Sequence, residues 1–100
     1  MKNQAEITAK NIPAVQNMVS SSGNKVANQF VISTNEGTFF QSYKSVIAFI
    51  PYEGKTLLDF RFWDYSTTTG KYRNIFLKEK KQETQKAIED GRYILADLNK

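Results

Sequence analysis

The sequence contains no cysteine and no histidine. The first absence excludes a disulfide and a thiol nucleophile, and together they exclude a zinc site built from the usual nitrogen and sulfur ligands. The commonest general base is missing as well. Any catalysis would fall to carboxylates, lysine or tyrosine, so the chain is not expected to be an enzyme or to carry a cofactor or metal. No apolar run approaches the ~20 residues of a membrane span. The opening stretch MKNQAEITAKNIP has a lysine but no apolar core of the kind a secretion signal needs. The expected location is the cytoplasm of whichever cell makes the protein, with no membrane partner.

One hundred residues make one small domain, 1–100, with residues 1–12 as a candidate flexible N-terminal arm. Hydrophobic residues make up 40% of the chain and aromatics 13%. That is enough apolar surface for one core, so a folded chain is expected. There is no internal repeat, low-complexity tract or linker. The formal charge is +4 with a pI near 9.4. A basic balance favours nucleic acid or another acidic partner, although the excess is mild.

Hydrophobic periodicity places the elements. Ala14 to Ser20 has weak β character, and SSGN marks a turn. KVANQFVIST sets Val26, Phe30 and Ile32 on one period-2 face, which predicts a strand. NEG (Asn35 to Gly37) is a short hairpin loop in which Gly37 can take a positive φ. TFFQSY is the partner strand. SVIAFI is a continuous apolar run, short enough for a strand buried on both faces. TLLDFRFW alternates, with Leu58, Phe60 and Phe62 inward and Asp59 and Arg61 outward, where a surface ion pair is expected. After Asp64 the period changes. Ser66 or a neighbouring threonine can cap a helix running to about Lys78, with Tyr72, Ile75 and Phe76 on its apolar face. A second helix, about Gln82 to Asp90, would bury Thr84, Ala87 and Ile88 and end at Gly91. RYILADL closes the chain as a strand or an extended tail. The fold class is therefore α+β: a small antiparallel meander of about four strands, then two short helices packed on one face.

The stretch WDYSTTTGKYRN invites comparison with a phosphate-binding loop. Such a loop needs a glycine five residues before its Gly-Lys and a Ser or Thr after the lysine. Here Tyr65 and Tyr72 stand in those places, so the threonines read as helix-capping residues. Anion binding at that helix N-terminus is the functional remainder. The segments SGNKVANQF, EGTFFQSYKSVIAF, WDYSTTTGKYRNIFL and GRYILADLN together resemble a group of small uncharacterised proteins from bacteriophages and prophages of Gram-positive bacteria. The most specific part is the pattern WDYS-x-TT-x-KYR-x-x-FL, and the resemblance covers about four-fifths of the chain. It implies a phage or mobile-element accessory protein, and it transfers no catalytic residues.

Glu53-Gly54-Lys55 and Glu79-Lys80-Lys81 each form half of a nuclease-like carboxylate and lysine pattern, but neither has an upstream aspartate placed to share a cation. Asp59 paired with Asp64 or Glu53 would need a cleft to act as a glycosidase pair. The densest positive charge runs through Lys71, Arg73, Lys78, Lys80, Lys81 and Lys86, opposed by Glu79 and Glu83. Lys71, Asn74, Lys78 and Lys81 fall on one helical face that could track phosphates, against the alternative of a solvated face. Arg73 points away from them and can stack on Tyr65 or Trp63. Most strand aromatics are expected in the core, with Tyr43, Tyr52 and Trp63 the best placed to stay partly exposed. The expected partner surface is Lys71, Arg73, Asn74, Lys78, Lys81 and Lys86 with Tyr43 and Trp63. The favoured partner is nucleic acid or a nucleoprotein; the alternative is a host protein that the chain inhibits or modulates. Oligomeric state, homodimer included, is left open by the sequence.

Overall fold

In the computed structural model, residues 13–100 are described, so the arm expected over residues 1–12 lies outside the described residues. Strands β1 (Ala14–Val19), β2 (Lys25–Ser33), β3 (Gly37–Ser42), β4 (Ser45–Pro51) and β5 (Thr56–Asp59) each pair antiparallel with the next. Helices α1 (Thr67–Leu77) and α2 (Lys81–Glu89) follow, and β6 (Tyr93–Ala96) returns parallel to β5. The described residues thus form one six-stranded sheet in sequence order, with two helices between its last two strands. The α+β class holds, but about four strands is an undercount. The uncounted strands are the two edges, which the sequence shows only as weak β character over Ala14 to Ser20 and as a strand or extended tail in RYILADL; β1 buries only Met18 and β6 buries nothing fully.

The two helices lie on one face of the sheet. Phe40 of β3 stacks on Phe76 of α1 at 5.6 Å, Ser42 Oγ lies 2.9 Å from Thr69 Oγ1, and the Tyr93 hydroxyl donates to Glu79 at 2.8 Å. The pairing register puts Phe40, Ala48 and Leu58 side by side on that same face. With Met18 and Ile47 they form the buried core, and Trp63, Tyr72, Phe76 and Ile88 close over it. Fully burying each such side chain contributes roughly 1.5–3 kcal/mol. The β2–β3 hairpin depends on Gly37, which has φ +154°. A Cβ there would collide with the Ile50 carbonyl oxygen and come within 2.6 Å of Pro51 Cα.

The alternation read through TLLDFRFW stops at Asp59, and the reason is a turn built by that residue. Asp59 is fully buried, not on the outer face. Its carboxylate accepts from the amides of Arg61, Phe62 and Leu98 and from Asn99 Nδ2, at 2.8–3.0 Å. Burial alone would push its pKa up, but the Leu98, Asn99, Arg61 and Phe62 donors outweigh burial and hold it below the usual value. The chain therefore leaves the sheet, Phe60 is 53% exposed, and Arg61 pairs with Asp97 at 2.7 Å. Where β5 ends, the Asn99 side chain takes its place beside β4. It accepts from Val46 N–H at 2.6 Å and donates to Val46 O at 2.8 Å. Among the described residues, no helix is long and apolar enough to cross a membrane.

A candidate anion-binding groove at the start of helix α1

Ser66 caps α1, as the sequence predicts. Its backbone is extended (φ −152°, ψ 159°) and its hydroxyl accepts from the Thr69 amide at 3.1 Å. The Gly70 amide is satisfied by Ser66 O at 2.9 Å. Among the described residues, the amides of Thr67 and Thr68 are left without an acceptor. These are orphan donors at the positive end of the helix dipole. Thr67 borders a groove of about 650 Å3 lined also by Asp64, Tyr65, Ser66, Gly70, Lys71, Arg73, Asn74 and Lys81.

Arg73 organises this corner. It is 1% exposed, and it occupies the buried side of α1 with Thr69 and Gly70. Nη1 donates to Trp63 O at 2.6 Å and to Asp64 Oδ1 at 3.1 Å, and Nη2 donates to Asn74 Oδ1 at 2.9 Å. The guanidinium also stacks over the Trp63 ring at 5.2 Å. Among the described residues its Nε has no partner. Asp64 takes a second cation, Lys81 Nζ, at 2.7 Å. Burial raises the Asp64 pKa, but Lys81 and Arg73 together lower it below the ordinary value. Asp64 is thus an anion held between two cations, and the groove keeps a net positive charge. Lys71 is exposed and its ammonium lies 5.3 Å from the Tyr72 ring, with no acid paired to it among the described residues.

Lys71, Arg73, Asn74 and Lys81 are therefore brought together. Lys78, Lys86, Tyr43 and Trp63 do not line the groove. The single helical stripe of Lys71, Asn74, Lys78 and Lys81 is broken, because α1 ends at Leu77. Lys78 is the left-handed C-cap (φ 59°), and Lys81 opens α2. Lys86 is exposed on α2. Tyr43 is half exposed at the β3–β4 turn with φ 56°, on a different part of the surface. Trp63 is half buried beneath Arg73. The apolar face read for α1 is also corrected: Ile75 is half exposed, and the inward centre belongs to Arg73.

Asp64 and Thr67 were missed as lining residues. The signal available was the Asp-x-Ser-Thr run ahead of a helix that contains an inward arginine. The second carboxylate candidate, Glu79, accepts from Thr84 Oγ1 at 2.6 Å and from Tyr93 OH at 2.8 Å. It is a structural acceptor joining α2 to β6, and no group of three or more acidic side chains able to hold a metal gathers among the described residues. Glu53 lies in the β4–β5 turn, where Lys55 Nζ reaches Gly91 O at 2.8 Å.

Residues 14–92 match the family described as "Family of unknown function (DUF8033)", and the chain belongs to that family. No curated protein and no solved structure matches the chain.

Proposed function

We propose that this member of the DUF8033 family is a non-catalytic binding module, a phage-type accessory protein that takes phosphates of a nucleic acid at the start of α1. The observation that carries the reading is the convergence of Lys71, Arg73 and Lys81 with Ser66 and Thr67 in one groove at a helix start. Backbone donors at a helix start attract anions, and flanking cations strengthen that attraction. Arg73 and Lys81 are already engaged with Asp64, so Lys71 is the freest cation for direct contact. Lys78 and Lys86 are exposed cations outside the groove. Contacts of this kind read the backbone of the polymer and carry little base specificity.

The test is fluorescence anisotropy with labelled single-stranded and duplex oligonucleotides over a salt series. Each phosphate contact contributes ~0.9 to the slope on duplex DNA and ~0.7 on single strands, so two or three contacts give a slope of about −2 to −3 on duplex. The variant Lys71→Glu/Lys78→Glu/Lys86→Glu leaves the Arg73 cluster intact and is expected to weaken binding at least tenfold. Undiminished binding by that variant, or none by the native chain at low salt, refutes the assignment.

A second reading is a modulator of a host protein. It rests on Tyr43, Tyr52, Phe60 and Tyr65, which stand exposed outside the core, because aromatic side chains are enriched at protein interfaces. A host protein retained by the chain after nuclease treatment of the lysate, and lost on replacing these rings, would favour it over nucleic acid.

A further inference from the structure

The helices cover one face of the sheet, and the opposite face carries an apolar row six strands wide. The register aligns Val15, Ile32, Phe39, Phe49, Leu57 and Ile94, one from each strand. None of them belongs to the helix-side core. Phe39 and Phe49, third and fourth in the row, stack at 4.3 Å. Phe30, Gln41 and Val46 form a flanking row that is also uncharged. An antiparallel sheet with one solvated face normally alternates apolar and polar residues. Here FVI, FF, VIAFI, LL and YIL are runs proper to strands covered on both sides. The ends of the row are open: Val15 is 59% exposed and Ile94 41%.

We infer that a second copy of this chain covers this face, the two sheets packing against each other about a two-fold axis. At ~4.8 Å per strand and ~7 Å per same-face row, the two rows give an apolar footprint of roughly 300 Å2. Two copies together bury about 600 Å2 in these rows, the apolar centre of a contact whose remaining area, toward the ~1,000 Å2 a specific interface clears, comes from the polar residues around them. The charge pattern fits. A basic chain repels its own copy wherever lysines meet, but these rows hold no charged side chain, and Lys71, Lys78, Lys81 and Lys86 lie on the helical side. Glu36 and Glu53 line a hollow with Phe49 and Pro51, so these acids must stay solvated at the edge of the contact. The centre is self-complementary. An axis lying in the interface through the middle of the row sets the Phe39–Phe49 pair of one copy against that of the other, where aromatic anchors contribute most. Sheets packed this way stand ~10 Å apart. The inference is independent of the groove at α1, which faces outward in such a dimer.

Sedimentation velocity of the full chain over about 1–100 µM tests it. The expected mass is twice the 11.5 kDa of one chain. Phe49→Lys is expected to give a monomer with an unchanged far-ultraviolet circular dichroism spectrum. Should that variant fail to fold, Val15→Lys/Ile94→Lys decides. Both positions are exposed, so the fold tolerates lysine there, and dimer dissociation is expected to rise at least tenfold. A native chain that stays monomeric at 100 µM overturns the proposal, as does a dimer that withstands the deciding variant unchanged.

Discussion

Replacing Arg73 by methionine keeps much of the side-chain volume and removes the charge and every donor. Arg73 gives three hydrogen bonds, to Trp63 O, Asp64 Oδ1 and Asn74 Oδ1, from a position 1% exposed. Breaking one partner out of a buried charged pair typically costs ~3–5 kcal/mol. Two features move the value to the low end. The Asp64 side chain is 30% exposed and keeps Lys81 at 2.7 Å, so its charge is not stranded. Methionine also still packs on the Trp63 ring. The groups left worst off are the Trp63 carbonyl and the Asn74 amide oxygen. We expect a loss of about 3 kcal/mol, a fall in Tm of roughly 12–24 °C for a domain this size. Arg73→Lys retains the charge but not the planar fork, and one ammonium cannot reproduce all three bonds, so roughly 1.5–2.5 kcal/mol should be lost. Urea unfolding followed by fluorescence is the assay, since Trp63 is the single tryptophan and lies under the guanidinium. Lys71→Met, on the exposed side of the same helix, is the control and should stay within about 0.5 kcal/mol of the native chain. An Arg73→Met variant within ~1 kcal/mol of the native protein, at an unchanged m-value, would refute the view that this side chain holds α1 to the preceding loop.

Three further outcomes follow from buried or shifted groups. Gln29 is 1% exposed and, among the described residues, neither atom of its amide has a hydrogen-bond partner; Gln29→Met should raise stability by about 1 kcal/mol, read as a higher urea midpoint, and a drop would show that the amide is satisfied in solution. Gly70 lies inside α1, and a Cβ there would sit 3.7 Å from the Arg73 guanidinium nitrogens, an ordinary contact; Gly70→Ala should therefore stabilise by roughly 0.5–1 kcal/mol, and destabilisation would mean that the α1 corner tolerates no added atom. Burial of the Tyr93 phenol and its hydrogen bond to Glu79 raise its pKa from 10.0 to about 12. The folded state then holds this proton after the unfolded state has released it, so its contribution is complete below pH 10 and disappears as pH climbs toward 12. Tyr93→Phe should flatten that part of the stability profile, and a phenol titrating near 10 in the folded protein, followed by ultraviolet absorbance, would contradict the assignment.

What the sequence discloses of this fold, and what it hides, divides along the chemistry of its interior. Fully buried hydrophobic residues among those described number six, and fully buried polar or charged residues also number six. Periodicity finds most of the first set: Phe40, Ile47 and Ala48 announce β3 and β4, and Ala87 falls on the inward face predicted for α2, with Thr84 of the second set beside it. Ser66 could be read as a cap because capping depends on near neighbours. Part of the second set is held by partners distant in the chain, as Asp59 is by Leu98 and Asn99 and as Ser42 is by Thr69. A polar residue in an alternating run looks solvated until its partner is known, which is why Asp59 was placed outside and the strand carried on to Trp63. The same blindness cost the lysine stripe: α1 and α2 have one helical period but are broken at a left-handed Lys78, a conformation that no glycine or asparagine signals in advance.

The two surfaces left open by this arrangement are complementary in kind. On the helical side, buried polar partners fix a loop and a helix start so that Ser66, Thr67 and a free lysine converge in one groove. On the bare side, residues that periodicity assigned to a core have no core above them. A chain whose strands are apolar on both faces, and whose helices suffice for only one, stays soluble by covering the other. Because the apolar row itself is free of charge and centred on an aromatic pair, its own copy is the partner that matches it. The consequence for binding is directional. A dimer formed through the sheet would carry two α1 grooves on opposite outer faces, so a short oligonucleotide should bind one groove at a time, with two equal sites per dimer and no gain from joining them. Titration calorimetry with oligonucleotides of increasing length distinguishes this from a continuous basic surface: one oligonucleotide per chain at short length, with affinity that does not jump until the polymer is long enough to wrap around the dimer.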